Sequence, residues 1–190
     1  LNLRERFLYL IDNEINQVRA GKKGYIIAKM NALVDKTIIK KLYEASLAGV
    51  KIDLIIRGIC CLRPELEGIS QNIRVISIVG RLLEHSRIYY FANGESPLIY
   101  LSSADWRPRN LDKRVEVLFP VEQKNLKERI KKILDITLKD NVKARRLLSS
   151  GIYKHIESDE ERVNSQMELY CETSKYFQED SKKIFVKNKL

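Results

Sequence analysis

The 190-residue chain has two histidines, and one of them, His85, lies in Glu84-His85-Ser86-Arg87-Ile88-Tyr89-Tyr90-Phe91, where an apolar run begins that reads as a strand. An imidazole there can accept a phosphoryl group, act as a general acid, or donate to a phosphate oxygen, because its pKa lies near working pH. The competing reading is a ring that caps or packs at a strand end. His155, in the C-terminal tail, reads as structural. A second candidate is Arg57-Gly58-Ile59-Cys60-Cys61-Leu62-Arg63, which sets a fork-shaped cation beside a glycine. Backbone amides and a guanidinium can meet one phosphate there, although a plain surface arginine would look the same. A third is the segment Ser102-Ser103-Ala104-Asp105-Trp106-Arg107-Pro108-Arg109-Asn110-Leu111-Asp112-Lys113-Arg114, with two hydroxyls followed by four basic side chains around Asn110. Such a donor mixture suits a polyanion; a solvated, charged loop is the alternative. Cys60, Cys61 and Cys171 are odd in number, two are adjacent, and none has zinc-ligand spacing with a histidine. They read as thiols of a reducing cytoplasm, with Cys60 and Cys61 as small buried hydrophobes rather than nucleophiles.

These residues need elements to hold them. Leu3, Phe7, Ile11, Ile15 and Val18 recur at helical spacing up to Ala20-Gly21, an amphipathic helix with a glycine stop. Tyr25–Ala28 reads as a short buried strand. Asp35 can cap a second helix, carrying Ile38, Ile39, Leu42 and Ala45, that ends at Gly49 and runs into the strand Val50–Ile56. Strand, helix, strand implies a parallel pair, so Arg57-Gly58 falls at the carboxyl end of a parallel strand, where open α/β sheets bind ligands. Further strands are expected at Ile73–Val79, Arg87–Phe91, Leu98–Leu101 and Val115–Phe119, giving a mixed sheet. A last clear helix follows Pro120, with Leu126, Ile130, Ile133 or Leu134, and Leu138 inward and lysines outward. Residues 151–190 carry the acidic run Glu157–Arg162 and read as a weakly structured tail with a short helix around 164–178.

Composition narrows the function classes. The chain is 44% hydrophobic and 32% charged, values of an ordinary packed domain rather than a disordered chain. No apolar run approaches the roughly 18 residues of a membrane span, and the charged Leu1–Arg6 segment is unlike a signal peptide. The start at Leu1, without a methionine, suggests a piece of a longer protein. Lys plus Arg number 35 against 25 Asp plus Glu, for a net charge of +10, and the excess lies within residues 1–150. Such a balance favours polyanionic partners: nucleic acid, phosphate chains, nucleotides or acidic membrane surfaces.

Four stretches taken together resemble the bacterial polyphosphate kinase family: Ala28–Lys36, Tyr43–Pro64, Arg74–Arg81 with Glu84–Arg87, and Ser102–Arg114. The likeness runs from the first helix to about Val163–Gln166 and corresponds to the C-terminal part of that family's protein. It implies a phospholipase-D-like α/β fold, a mixed sheet flanked by helices, in residues 1–150 with 151–190 as a C-terminal extension. The family's underlying His-x-Lys-x-x-x-x-Asp pattern is eroded here: His85 and Arg87 stand at the His and Lys positions, Ala92 stands where the Asp would be, and Asp105 lies at the Asn position of the strand that follows.

The resemblance implies an enzyme that transfers the γ-phosphoryl group of ATP reversibly onto inorganic polyphosphate through a phosphohistidine in a preceding domain. Within this chain it implies Arg57, His85 and Arg114 as ATP and phosphate contacts, with His85 catalytic. Mg2+ is expected with ATP, on ligands mainly outside this chain, and no metal site of its own is expected here. Other implied partners are the remaining domains of the same enzyme and further copies of it; nucleic acid is not expected. The implied location is cytoplasmic, with peripheral association at the inner membrane face open. The alternative is a phospholipase-D-like phosphodiesterase, nuclease or nucleic-acid-binding half-site that completes itself as a homodimer, against which Ala92 and Arg87 speak.

Overall fold

A computed structural model describes residues 2–174. The elements run α1 (Leu3–Arg19), β1 (Tyr25–Met30), α2 (Lys36–Leu47), β2 (Lys51–Ile56), β3 (Ile73–Ile78), β4 (Arg87–Phe91), β5 (Leu98–Ser102), α3 (Pro108–Lys113), β6 (Leu118–Pro120), α4 (Lys124–Leu138), β7 (Ala144–Leu147) and β8 (Tyr153–His155). All eight strands form one sheet in the order β6-β5-β4-β1-β2-β3-β7-β8. β1, β2 and β3 are parallel, and the strands outside them pair antiparallel. The expected mixed α/β sheet is therefore what forms.

The central strands are apolar on both sides, and alternate residues feed two cores. Ile26, Ala28, Ile52, Leu54, Ile56, Val75, Tyr89 and Phe91 face α1 and α2, meeting Phe7, Leu10, Ile11, Ile38 and Leu42. Ile27, Ile55, Ile76, Ile78, Ile88 and Ile99 face Leu134 of α4 on the other side. Asn2 caps α1 by accepting from the Glu5 N–H. Asp35 caps α2 as expected, accepting from the N–H groups of Thr37 and Ile38, and also receives the Arg4 guanidinium. That contact ties the two helices of the larger core together.

Departures from the sequence reading have physical causes. In α4, Leu134 and Thr137 are buried, Ile130 and Leu138 pack partly, and Leu126 remains exposed. The helix thus meets the sheet by its C-terminal half. The expected strand at Val115–Phe119 contracts to β6: Val115 is fully exposed, and pairing with β5 runs over Leu118–Pro120. Residues 108–113, read as loop, form α3 with Pro108 in the first turn, where its missing N–H costs nothing. β7 and β8 have too little apolar alternation to be read from sequence. β8 lies beyond residue 150, and residues 165–174 form the last described helix. The rest of the helix expected around 164–178, and Lys182, Lys183 and Lys187, lie outside the described residues.

Asp140 joins that last segment to the sheet. Its Oδ1 accepts from the N–H groups of Val142, Lys143 and Ala144, and its Oδ2 from the N–H and hydroxyl of Ser165. Burial alone would raise its pKa, but the Ser165 hydroxyl and the amides of Lys143, Ser165 and Ala144 outweigh burial and hold it below the ordinary carboxyl value. A carboxyl so depressed adds stability that is complete above the unfolded-state pKa and is lost as pH falls through the folded one. Asp140→Asn, which sets donors against donors, is expected to cost about 1–3 kcal/mol at neutral pH and to flatten the acid limb of stability below about pH 4. Urea denaturation across pH checks it, and superimposable curves for the two proteins would contradict it.

Candidate functional site

The parallel and antiparallel registers bring four strand ends to one edge of the sheet. Met30 and Ile56 end β1 and β2 side by side, while antiparallel β4 starts there, with Ile88 opposite Lys29 and Arg87 opposite Ser102 of β5. Asn31, Arg57, His85, Arg87 and the turn after Ser102 therefore converge, although 74 positions separate the first from Asp105.

The turn is fixed from beneath by packed aromatics. Phe7, Tyr89 and Trp106 pack with ring centroids 4.6–5.4 Å apart, Tyr89 stacked on Trp106 and Phe7 set at an angle to both. The buried Tyr89 hydroxyl donates to the Ala104 carbonyl at 2.7 Å, and the Trp106 carbonyl accepts from the N–H groups of Val34 and Asp35. Asp105, between these two anchors and 4% exposed, is aimed at the strand ends. Its Oδ1 accepts from the Asn31 backbone N–H at 2.9 Å, the Asn31 amide at 3.3 Å and the Arg87 Nε at 3.0 Å. The Asn31 amide oxygen in turn accepts from Arg57 Nε at 2.8 Å. Arg87 extends the chain by donating to the His85 carbonyl at 2.8 Å and approaching its Nδ1 at 3.0 Å. Arg57, Asn31, Asp105, Arg87 and His85 thus form one connected polar group.

Of the residues expected from sequence, Arg57 and His85 are brought to this edge. Arg57 is half-buried and His85 exposed, and the terminal guanidinium nitrogens of Arg57 make no hydrogen bond within the described residues. Arg114 caps the end of α3, exposed, and no hydrogen bond or ion pair among the described residues joins it to the group. The two hydroxyls of Ser102 and Ser103 are not free for a ligand. Ser102 donates to the Val117 carbonyl and accepts from Ala104 N–H; Ser103 bonds the Glu116 carboxylate, which also takes the amide of buried Asn110. They hold the 103–117 loop closed. His155 lies in β8, and Cys60 is half-buried in the segment after β2, its thiol pushed up to about 11 chiefly by burial; Cys61, expected to be buried beside it, is exposed instead, because successive side chains of extended chain point to opposite sides.

Sequence reasoning gave no role to Asn31, Lys29, Glu84 or Gln166. Asn31 follows β1 directly, so the same carboxyl-end argument that picked Arg57 applied to it. Lys29, 6% exposed on β1, ion-pairs with Glu84 at 3.0 Å and donates to the Ser86 hydroxyl at 3.1 Å. A lysine inside a strand otherwise made of Tyr, Ile, Ala and Met was the available signal.

Comparison with known proteins agrees with this architecture. Residues 1–166 match the family model described as polyphosphate kinase C-terminal domain 2. The chain belongs to the polyphosphate kinase family. A polyphosphate kinase of Bacillus anthracis is 56% identical over 170 residues, which cover 89% of this chain and 24% of that protein. Polyphosphate kinase 1 of Chlorobaculum tepidum is 54% identical over 166 residues, 87% of this chain and 24% of that protein. The crystal structure of polyphosphate kinase from Porphyromonas gingivalis superimposes with a TM-score of 0.85 at 47% identity, covering 95% of this chain and 27% of that one. The chain therefore spans about a quarter of the length of the polyphosphate kinases it matches.

Two outcomes test the site's construction. Asp105→Ala leaves Arg87 without its buried carboxylate and should destabilise the domain by about 3 kcal/mol, read as a lowered midpoint in thermal or urea unfolding; an unmoved midpoint would remove Asp105 as the organising group. Iodoacetamide at pH 8 should label exposed Cys61 and Cys171 well before Cys60, and mass spectrometry showing Cys60 labelled first would contradict its burial.

Proposed function

We propose that this chain is the C-terminal catalytic domain of a polyphosphate kinase, contributing phosphate-binding and transition-state contacts to reversible transfer of the ATP γ-phosphoryl group onto inorganic polyphosphate. The observation that carries the reading is the convergence of Arg57 and His85 on one strand edge, linked through Asn31, Asp105 and Arg87, in a member of that family. Phosphoryl transfer passes through a state whose charge is spread over oxygens, so catalysis rests on positioned positive charge rather than on a complete acid–base pair. This edge is of that kind.

In the proposed cycle the bond from the γ-phosphorus to the ADP oxygen breaks as a bond forms to a histidine nitrogen of a preceding domain. That nitrogen–phosphorus bond then breaks as the terminal oxygen of polyphosphate takes the phosphoryl group. Arg57 uses its free terminal nitrogens on ATP phosphates. His85 lies against the Arg87 guanidinium, with Nδ1 at 3.0 Å and Nε2 at 3.4 Å from its two terminal nitrogens. In this reading an imidazole N–H donates to the transferring phosphoryl group or the departing ADP oxygen. Arg114, exposed at the end of α3, is a further phosphate contact in this reading, made when the rest of the enzyme closes over the edge.

The group does not fit a resident Mg2+. Asp105 Oδ1 is taken by Asn31 and by the cationic Arg87, and among the described residues no three His, Cys, Asp or Glu side chains gather as a metal site. A magnesium ion would enter with the nucleotide phosphates, and no step assigned to this chain runs through it. No described helix is long and apolar enough to cross a membrane. A cytoplasmic setting, assembly of the whole enzyme into homo-oligomers, and a catalytic unit in residues 1–150 with 151–190 as its extension belong to the same proposal. The phosphodiesterase alternative finds no favouring observation, since Arg87, at its lysine position, is held by Asp105.

The test is His85→Ala in the full-length enzyme. Turnover should fall about 10²- to 10³-fold, the usual cost of one positioned transition-state donor, with ATP binding by calorimetry retained. Turnover near that of the unmodified enzyme would overturn the assignment.

A further inference from the structure

Between the end of β3 at Ile78 and the start of β4 at Arg87, the chain that delivers His85 has no regular secondary structure. Its hydrogen bonds and ion pairs with the rest of the described chain run to three residues: Arg87, Lys29 and Gln166. Gln166, 6% exposed, reaches the segment from the first turn of the last helix, 84 positions away. Its amide oxygen accepts from the Leu82 N–H at 3.0 Å, and its nitrogen donates to the Leu82 carbonyl and to Glu84 Oε1, both at 2.8 Å. The flat carboxamide thus pairs with Leu82 as a neighbouring strand would, and its second N–H holds Glu84. The other oxygen of Glu84 meets Lys29, which also holds the Ser86 hydroxyl. The packing is close: a Cβ on Gly80 would lie 2.3 Å from the Gln166 amide oxygen.

We propose that Gln166, acting through Glu84 and Lys29, is a positioning residue for His85, so that the last helix sets the catalytic geometry of a site it does not line. This rests on the role given above to His85. The residue touches neither the imidazole nor Arg57. It fixes both ends of Leu82 and the side chain of Glu84, the residue before His85, while Lys29 fixes Ser86, the residue after it. Gln166 is itself held in place, since Asp140 grips the neighbouring Ser165 through two hydrogen bonds. Leu82 is solvent-exposed, so water can replace the lost backbone bonds when the amide is removed. The effect then falls on where the imidazole stands rather than on whether the domain folds. Misplacement of about 1 Å in a reacting group is enough to cost up to 10²-fold in rate.

The experiment is a double-mutant cycle in the full-length polyphosphate kinase, with ATP and polyphosphate as substrates. Gln166→Leu is expected to lower kcat about 10- to 100-fold and to leave the KM for ATP unchanged, because Arg57 is held by Asn31 and bonds none of Gln166, Glu84 and Lys29. In the His85→Ala background the same substitution should have no further effect, the signature of a residue that acts through another. Gly80→Ala, which pushes against the hydrogen-bonded amide end of Gln166 and meets no backbone atom as closely, supplies a second variant and should reproduce the pattern even if Gln166→Leu folds poorly. Equal losses in both backgrounds, an unchanged kcat, or a raised KM for ATP would overturn the positioning role while leaving that of His85 standing. An inert His85→Ala would instead overturn the role of His85, and this inference with it.

Discussion

Asp105 Oδ1 receives three donors, from two different groups of Asn31 and from Arg87, and the arrangement of the whole strand edge depends on where that atom stands. A carboxylate buried to this degree carries a desolvation cost of several kcal/mol unless geometry and further hydrogen bonds offset it. Here the compensation comes from two adjacent strands, since Asn31 follows the central strand and Arg87 begins its antiparallel neighbour. Asp105 cannot move to relieve a poor fit, because the residue before it is bonded to Tyr89 and the residue after it is packed into the aromatic cluster and bonded to Val34 and Asp35. The hydrophobic core of α1 and α2 thus reaches the site through one turn. Packing sets the carboxylate, and the carboxylate sets the two guanidinium groups.

That order explains why the two arginines differ in what they can do. Arg87 spends its Nε on Asp105 and turns both terminal nitrogens to His85, so its charge is partly neutralised and its plane fixed. Arg57 spends its Nε on a neutral amide and keeps its full charge and both terminal nitrogens. A fixed, compensated arginine orients a neighbour; an uncompensated one with a free fork binds phosphate.

Much of this was legible in the chain because it rests on local signals. The α1 stripe, the Asp35 cap, the β1-α2-β2 unit and the place of Arg57 at a strand's carboxyl end follow from periodicity and from one rule about parallel sheets. His85 stood out by rarity and by the strand after it. What escaped notice depends on contacts between distant positions. Gln166 meets Leu82, and Asn31 meets Asp105, without any local pattern to mark either pair. The Ser102 and Ser103 hydroxyls misled for the opposite reason. Their types suit a phosphate, but the return of the chain at Glu116 and Val117 consumes them. β7 was missed because two of its four residues are exposed arginines, Arg145 and Arg146, so its strand character comes from pairing with β3 and not from an apolar face.

The acidic composition after residue 150 suggests an appendage, yet three kinds of bond cross that point. β8 extends the sheet by pairing with β7, Asp140 holds Ser165, and Gln166 holds the segment before His85. Each partner before residue 150 is itself part of the ordered core or of the His85 approach, so the segment from 151 to 166 is joined mechanically to the strand edge. The family match also runs to residue 166. Net charge describes how a stretch of chain meets solvent and says little about what its backbone and buried polar groups hold. Here a solvated acidic stretch, Glu157–Arg162, carries the chain from β8 to the two buried residues, Ser165 and Gln166, that fasten the last helix against the site.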